Sequence, residues 1–339
     1  DIGVIDTYPA LEGYGLVVED LYVTGAIWVR STYYSLSEPT GYRYPGNPVT
    51  IRDSIVSDGV SGWATSGSVL ENIYVDAETI DRQCFSFDFQ SVTDYFYMNN
   101  VTCLRAEGHG GYIASSASPD TPSKHILIEN SEFAYNGIYT DRRDGFTIHG
   151  YVDNFIFRNN DVHHNGYALG WDSSYSGNTP EYMRNFIMEE NKIHDQRDYV
   201  LQFSSQQNLI IRNNIFYNNP GNVIQILTPH NYDGYMDEDS YNVRIYNNVL
   251  YNNSGTAFNL GATQVHDVYI RNNIVMDNNG YVLEDSDADD LYMSNNIYHN
   301  SNGGFRRNRV IFTLSEWLVS GYDENSLSSD PLFVDAENF

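Results

Sequence analysis

Near the middle of the chain, Asp144-Gly145-Phe146-Thr147-Ile148-His149 is followed by Val162-His163-His164-Asn165-Gly166 and then by Trp171-Asp172. An imidazole accompanied by carboxyl groups is equipment for moving protons. Just upstream, the segment from Ile138 to Arg143 carries Tyr139, Asp141, Arg142 and Arg143. Two adjacent guanidinium groups can grip a carboxylate or sulfate bidentately. The combination suits proton abstraction beside a bound carboxylate. Arg142 or Arg143 would neutralise that group and so acidify the neighbouring C–H, with His149 or a nearby Tyr as base or acid. The plain alternative makes His149 a solvent-facing residue and the arginines partners in surface ion pairs.

The elements that must position these residues come from a repeat. Short alternating apolar units end in Asn-Asn or a close variant, as in Phe155-Ile156-Phe157-Arg158-Asn159-Asn160, Leu209-Ile210-Ile211-Arg212-Asn213-Asn214 and Val268-Tyr269-Ile270-Arg271-Asn272-Asn273. From Asn100 the spacings are 30, 30, 31, 23, 34, 25 and 23 residues. A minimum near 23 with irregular excess fits a coil of three short strands plus variable loops. Period-2 alternation turns one face of each strand inward. Asn tolerates left-handed backbone, and stacked Asn side chains form a ladder of amide hydrogen bonds. Each coil buries its inner face only against its neighbours. The expected fold is therefore all-β, a right-handed parallel β-helix of about eleven coils over residues 1–311. Residues 312–339 are expected to pack on it as a short helix and tail, because Thr313-Leu314-Ser315-Glu316 has capping-box spacing ahead of Trp317, Leu318 and a stop at Gly321.

Alignment of the strands after each Asn-Gly turn pairs Ile113-Ala114, Ile148-His149, Leu169-Gly170, Leu201-Gln202, Ile224-Gln225, Phe258-Asn259 and Leu283-Glu284, the second of each pair outward. Neighbouring rungs lie about 4.8 Å apart. This alignment sets His149 beside open space at Gly170, Asp172 diagonal to it, and Gln202 and Gln225 along the same row as hydrogen-bonders. Trp171 joins them. A second insertion, Thr228 to Ser240, carries His230 and Tyr232 and is expected to wall the groove.

Composition narrows the partners. The 339 residues include 45 acidic and 18 basic side chains, a net charge of −27 that would repel a nucleic-acid backbone. A 41% hydrophobic content supports a substantial core, and no apolar run reaches the roughly 18 residues of a membrane span. Nothing basic-then-apolar precedes Asp1, as in a processed secreted chain or a piece of a longer one. The two cysteines, Cys84 and Cys103, fit one disulfide or two buried thiols equally. His163 and His164 resemble a metal pair, but neighbours on a strand face opposite ways, so no metal site is expected. His109 and His125 read as ordinary surface or turn residues, with the groove edge a remote alternative for His109. The acidic runs Asp233–Asp239 and Glu284–Asp290 offer oxygens to Ca²⁺, although without the glycine-fixed spacing of a dedicated loop. An oligomer is compatible with the sequence.

The stacked Asn-ended units resemble the right-handed β-helix proteins of microbial exteriors, a group rich in polysaccharide lyases, epimerases and some glycosidases. The stretch from Phe312 to Asp335 is similar to the closing segment of many secreted members. The coils around Asp144–His149 and Trp171-Asp172 resemble the active-site coils of the mannuronan C5-epimerases, with His149 and Asp172 at the matching positions. Thr147, Ile148 and Asp144 stand where that family has Asp, Pro and Tyr. The Tyr- and Asn-rich acidic composition is also similar to surface-matrix enzymes of methanogenic archaea, disaggregatase among them. The resemblance implies an extracellular or cell-surface protein acting on a uronate-containing polysaccharide by elimination or C5 epimerisation. Two alternatives stand beside it: hydrolysis by Asp144 and Asp172, which needs carboxyls about 5 to 9 Å apart, and a non-catalytic carbohydrate-binding or surface-layer solenoid.

Overall fold

In the computed structural model, residues 16–30, 48–63, 66–77, 83–89, 94–115, 122–138, 143–172, 183–227, 231–232, 235–236, 239–261, 264–286, 288–301 and 303–333 are described. The chain winds as a parallel solenoid. One long sheet holds the strand pairs before and after each Asn-Asn corner, such as Val152–Arg158 with Asp161–His163. A second sheet runs from Ala26–Arg30 through Asp144–Gly150 and Tyr167–Asp172 to Phe305–Arg307. Every rung pairs in parallel with the next, for example Phe155 with Phe186 and Phe186 with Leu209.

The inward face is apolar and closed. Phe133, Phe146, Phe157, Phe186, Phe203 and Phe216 are fully buried, and several meet edge to face, as Phe133 and Phe146 do at 5.3 Å. Each coil turns at residues with positive φ, among them Asn159, Asn213, Asn247, Asn272 and Asn295 at one corner and Tyr135, His164, Asp195, Asn218 and Asn252 at the next. Short polar side chains tolerate this conformation best, which explains the Asn content.

The expected amide ladder exists, and it is double. At the first corner, Asn160, Asn191, Asn214, Asn248, Asn273 and Asn296 point inward; each accepts at Oδ1 from the backbone N–H of the coil before, as Asn191 N to Asn214 Oδ1 at 3.0 Å. At the second, Asn136, Asn165, Gln196, Asn219, Asn253 and Asn278 do the same. All twelve side chains are buried. A buried amide so paired avoids the penalty of desolvation; among the twelve, only the Nδ2 of Asn278 lacks a partner among the described residues.

Cys84 and Cys103 form a disulfide, with Cα atoms 5.8 Å apart, which resolves the two options open in the sequence. At the C-terminal end the helix Leu314–Val319 carries the expected capping box between Thr313 and Glu316. Trp317 is buried and stacks on Phe305 at 4.7 Å. The tail beyond adds a further rung: Asp323–Glu324 pairs with Met293–Ser294, and Leu327–Ser328 with Ile297–Tyr298. No helix among the described residues is long and apolar enough to cross a membrane.

Candidate functional site

The second sheet carries the candidate site on its outer face, and its register corrects the sequence alignment by two residues. Thr147 pairs with Gly170 and His149 with Asp172, so the two matched positions are direct cross-strand partners rather than diagonal ones. Ala114 precedes His149 in that column. The other column runs Tyr112, Thr147, Gly170, Gln202, Gln225, Asn259 and Glu284, which places the two glutamines beside Thr147's row and not that of His149.

Gly170 does not leave open space. An added Cβ there would lie 2.7–2.9 Å from the carboxylate atoms of Asp144, which fill the position instead. Thr147 is buried and donates its hydroxyl to the Gly170 carbonyl at 2.7 Å. Asp144 is held there by His109, whose Nδ1 is 3.1 Å from Asp144 Oδ2. The same Nδ1 accepts from the Asp144 backbone N–H at 3.1 Å, and Nε2 is 3.3 Å from Arg143 Nη1. A neutral imidazole has one donor and one acceptor. His109 thus links Arg143 to Asp144.

Its ring also begins a row of three. His109 meets Tyr112 with centroids 5.6 Å apart, and Tyr112 meets His149 at 5.4 Å. His109 is buried, whereas Tyr112 and His149 are half-exposed. The site therefore combines a fixed carboxylate, a guanidinium, a phenol and an imidazole on two successive coils. Tyr112 was absent from the sequence-derived candidates, and His109, read there as a surface or turn residue with only a remote place at the groove edge, is buried. Its partner lies 35 positions away in the chain, so only the coil register reveals it.

The remaining candidates divide. Gln202 is half-buried. Gln225 is buried, accepts from Asn222 at 3.3 Å, and its Nε2 has no hydrogen-bond partner among the described residues. Tyr139, Arg142 and His230 lie outside the described residues, as does Asp141. Trp171 and Asp172 are described in backbone only. The backbone of Tyr232 belongs to a small antiparallel hairpin with Tyr235. The acidic run after Glu284 is engaged in ion pairs: Glu284 with Arg306 at 2.7 Å and Asp285 with Arg307 at 3.2 Å.

A second cluster overturns the reasoning about His163 and His164. His163 ends a strand, but His164 has φ +56°, and this turn brings the two Nδ1 atoms to 2.8 Å. His194, one coil on, stacks between His163 and Tyr217 at 4.9 and 4.4 Å. Burial opposes charge on His194, yet hydrogen bonds to Asp161 and Asp195 outweigh it and hold the imidazole above its ordinary value. Burial, with His163 beside it, pulls His164 down. Burial and the nearby Asp161 and Asp195 push the Tyr217 phenol up to about 12.

A family model described as a right-handed β-helix region matches residues 83–229. The solenoid is a right-handed parallel β-helix. Among solved structures, the A-module of a mannuronan C-5 epimerase from Azotobacter vinelandii superposes with a TM-score of 0.51 at 13% identity, over 94% of this chain and 90% of that one. A GH136 lacto-N-biosidase from Eubacterium ramulus gives 0.48 at 12%, over 92% and 60%. The tailspike of an Acinetobacter baumannii bacteriophage, described as a capsular polysaccharide depolymerase, gives 0.48 at 12%, over 93% and 56%. Identities this low speak for the fold alone. Among curated proteins, none matches the sequence.

Proposed function

We propose that this β-helix is an extracellular or cell-surface enzyme acting on a uronate-containing polysaccharide by β-elimination or C5 epimerisation. The observation that carries the reading is the row His109, Tyr112 and His149 on the outer face, with Arg143 and Asp144 fixed at one end of it. A sugar laid across these coils would set its carboxylate toward Arg143, whose guanidinium has donors beyond the one aimed at His109. Neutralising that carboxylate lowers the barrier to losing the C5 proton. Tyr112 and His149, 5.4 Å apart between ring centres, set a phenol and an imidazole side by side on this face to serve as acid and base. Elimination follows if the leaving oxygen is expelled, epimerisation if a proton returns from the other face. An outer face built along a straight axis also suits a long polymer. The A-module neighbour, a mannuronan C-5 epimerase, shares this fold.

Incubation with a panel of acidic polysaccharides tests the reading. Unsaturated uronides, detected by their ultraviolet absorbance, are expected for elimination. Altered uronate stereochemistry by NMR, without chain cleavage, is expected for epimerisation. New reducing ends without unsaturation would instead favour hydrolysis by Asp144 with Asp172. Absence of all three from every acidic polymer, with binding retained, would leave a carbohydrate-binding solenoid.

A further inference from the structure

We propose that His164, His194 and Asp195 form a site for one divalent transition-metal ion of the Zn²⁺ type, separate from the row at His149. One ligand atom from each of the three lies within 4.8 Å of the others, at the second corner of two successive coils. Tetrahedral Zn²⁺ with ligands at about 2.0–2.2 Å holds its donor atoms roughly 3.3 Å apart. Side-chain rotations of about an ångström bring this group to that spacing. Two imidazoles and a carboxylate form a donor set suited to Zn²⁺ and its neighbours rather than to Ca²⁺ or Mg²⁺, which prefer oxygen.

The surroundings favour the same reading. A ligating imidazole is oriented when its other nitrogen donates to a carboxylate. His194 offers Nδ1 toward Asp195 at 2.7 Å while Nε2 lies 3.1 Å from Asp161 Oδ1, so Asp161 would fix the ring with Nδ1 facing the metal. The ring is held in place between those of His163 and Tyr217. His164 is stacked on Tyr135 at 4.8 Å. His163 bonds outward through Nε2 to Glu132 at 3.1 Å, leaving Nδ1 toward His164 as a positioning contact. Both ligand-bearing corner residues have left-handed backbone, with φ +56° at His164 and +52° at Asp195. Arg105 and Tyr135 occupy the same corner in earlier coils, and Asn218, Asn252, Asp277 and Asn300 in later ones. At His164 and Asp195 this turn sets two ligand-bearing side chains on successive coils, beside His194.

The test uses Zn²⁺ alone. Equilibrium dialysis and calorimetry of the full chain are expected to show one equivalent bound, and Co²⁺ is expected to give the visible ligand-field bands of a four-coordinate site. His164→Asn and Asp195→Asn each install the residue found at that corner in three later coils, so both are expected to fold, as circular dichroism would verify, and to lose the bound equivalent. Asp161→Asn is expected to weaken binding by about 10- to 100-fold. His266→Ala, in a separate ion pair with Asp239, is expected to leave it unchanged. Failure of the wild type to take up Zn²⁺, or uptake that His164→Asn and Asp195→Asn leave intact, would overturn the proposal.

Discussion

Removal of one rung from the first amide ladder measures how far the solenoid depends on it. Asn214 is fully buried and makes four side-chain hydrogen bonds. Its Nδ2 donates to the Met188 carbonyl and to Asn248 Oδ1, both at 3.0 Å. Its Oδ1 accepts from Asn191 N at 3.0 Å and from Asn191 Nδ2 at 2.9 Å. In Asn214→Ala the Asn248 oxygen still accepts from the Asn214 backbone N–H. The Asn191 N–H is left buried without an acceptor, which costs about 1–3 kcal/mol, and the other lost bonds are worth roughly 0.5–1.5 kcal/mol each. Partial relaxation brings the expected loss to about 3–5 kcal/mol, large beside a typical total of about 5–15 kcal/mol. Asn213→Gly is the control, since Asn213 is exposed and its φ of +57° suits glycine. That change is expected to stay within about 0.5 kcal/mol. Urea denaturation followed by circular dichroism and fluorescence compares the two. Equal loss in both variants, or a loss below about 1 kcal/mol for Asn214→Ala, would refute the ladder as the element holding adjacent coils together.

Three further outcomes are expected. Gly170→Ala sets a Cβ against the Asp144 carboxylate, so it should depress polysaccharide turnover while leaving circular dichroism unchanged; Gly261→Ala, with its nearest contact at 3.6 Å, should do neither. His149→Ala and Tyr112→Phe should each lower turnover by about 10²- to 10⁴-fold with little change in melting temperature, the range for loss of a general acid or base, and product assays on the purified variants would read this directly. Replacing both Cys84 and Cys103 by Ala opens a loop of 19-residue separation and should lower stability by roughly 3 kcal/mol in denaturant titration.

The fold was legible because the chain repeats a physical necessity. Each coil must turn at left-handed residues and satisfy buried amides, and Asn does both, so Asn-Asn marks the corners in sequence. The second ladder was harder to see, because Gln196 replaces Asn and the inward residue stands alone, as at Asn136 and Asn219. The register of the outer face was misread for a specific reason. Alternation with period 2 fits equally well after a shift of two residues, and the insertion between Ile138 and Arg143 hid the true distance from the corner to His149. The same hidden distance concealed His109, whose role exists only where Asp144 folds back over Gly170. His164 was misjudged because the rule for strand neighbours ends where the strand ends, and a positive φ reversed its direction.

The two stacks of side-chain amides share one polarity. In the Asn rungs the carbonyl oxygen faces the preceding coil, while one amide hydrogen reaches the next coil and the other returns to a backbone carbonyl, as at Asn214 and Asn219. Their moments therefore add head to tail along the axis, each about 3.5 D if taken as peptide-like, while alternating backbone carbonyls of the sheets largely cancel. Such a column has a negative pole toward the first coils and a positive pole toward the last. At that positive pole the final amide, Asn296, donates to Asp323, a carboxylate buried at the end of the cylinder. The terminal segment thus brings an anion to the place where the accumulated field is most receptive to one.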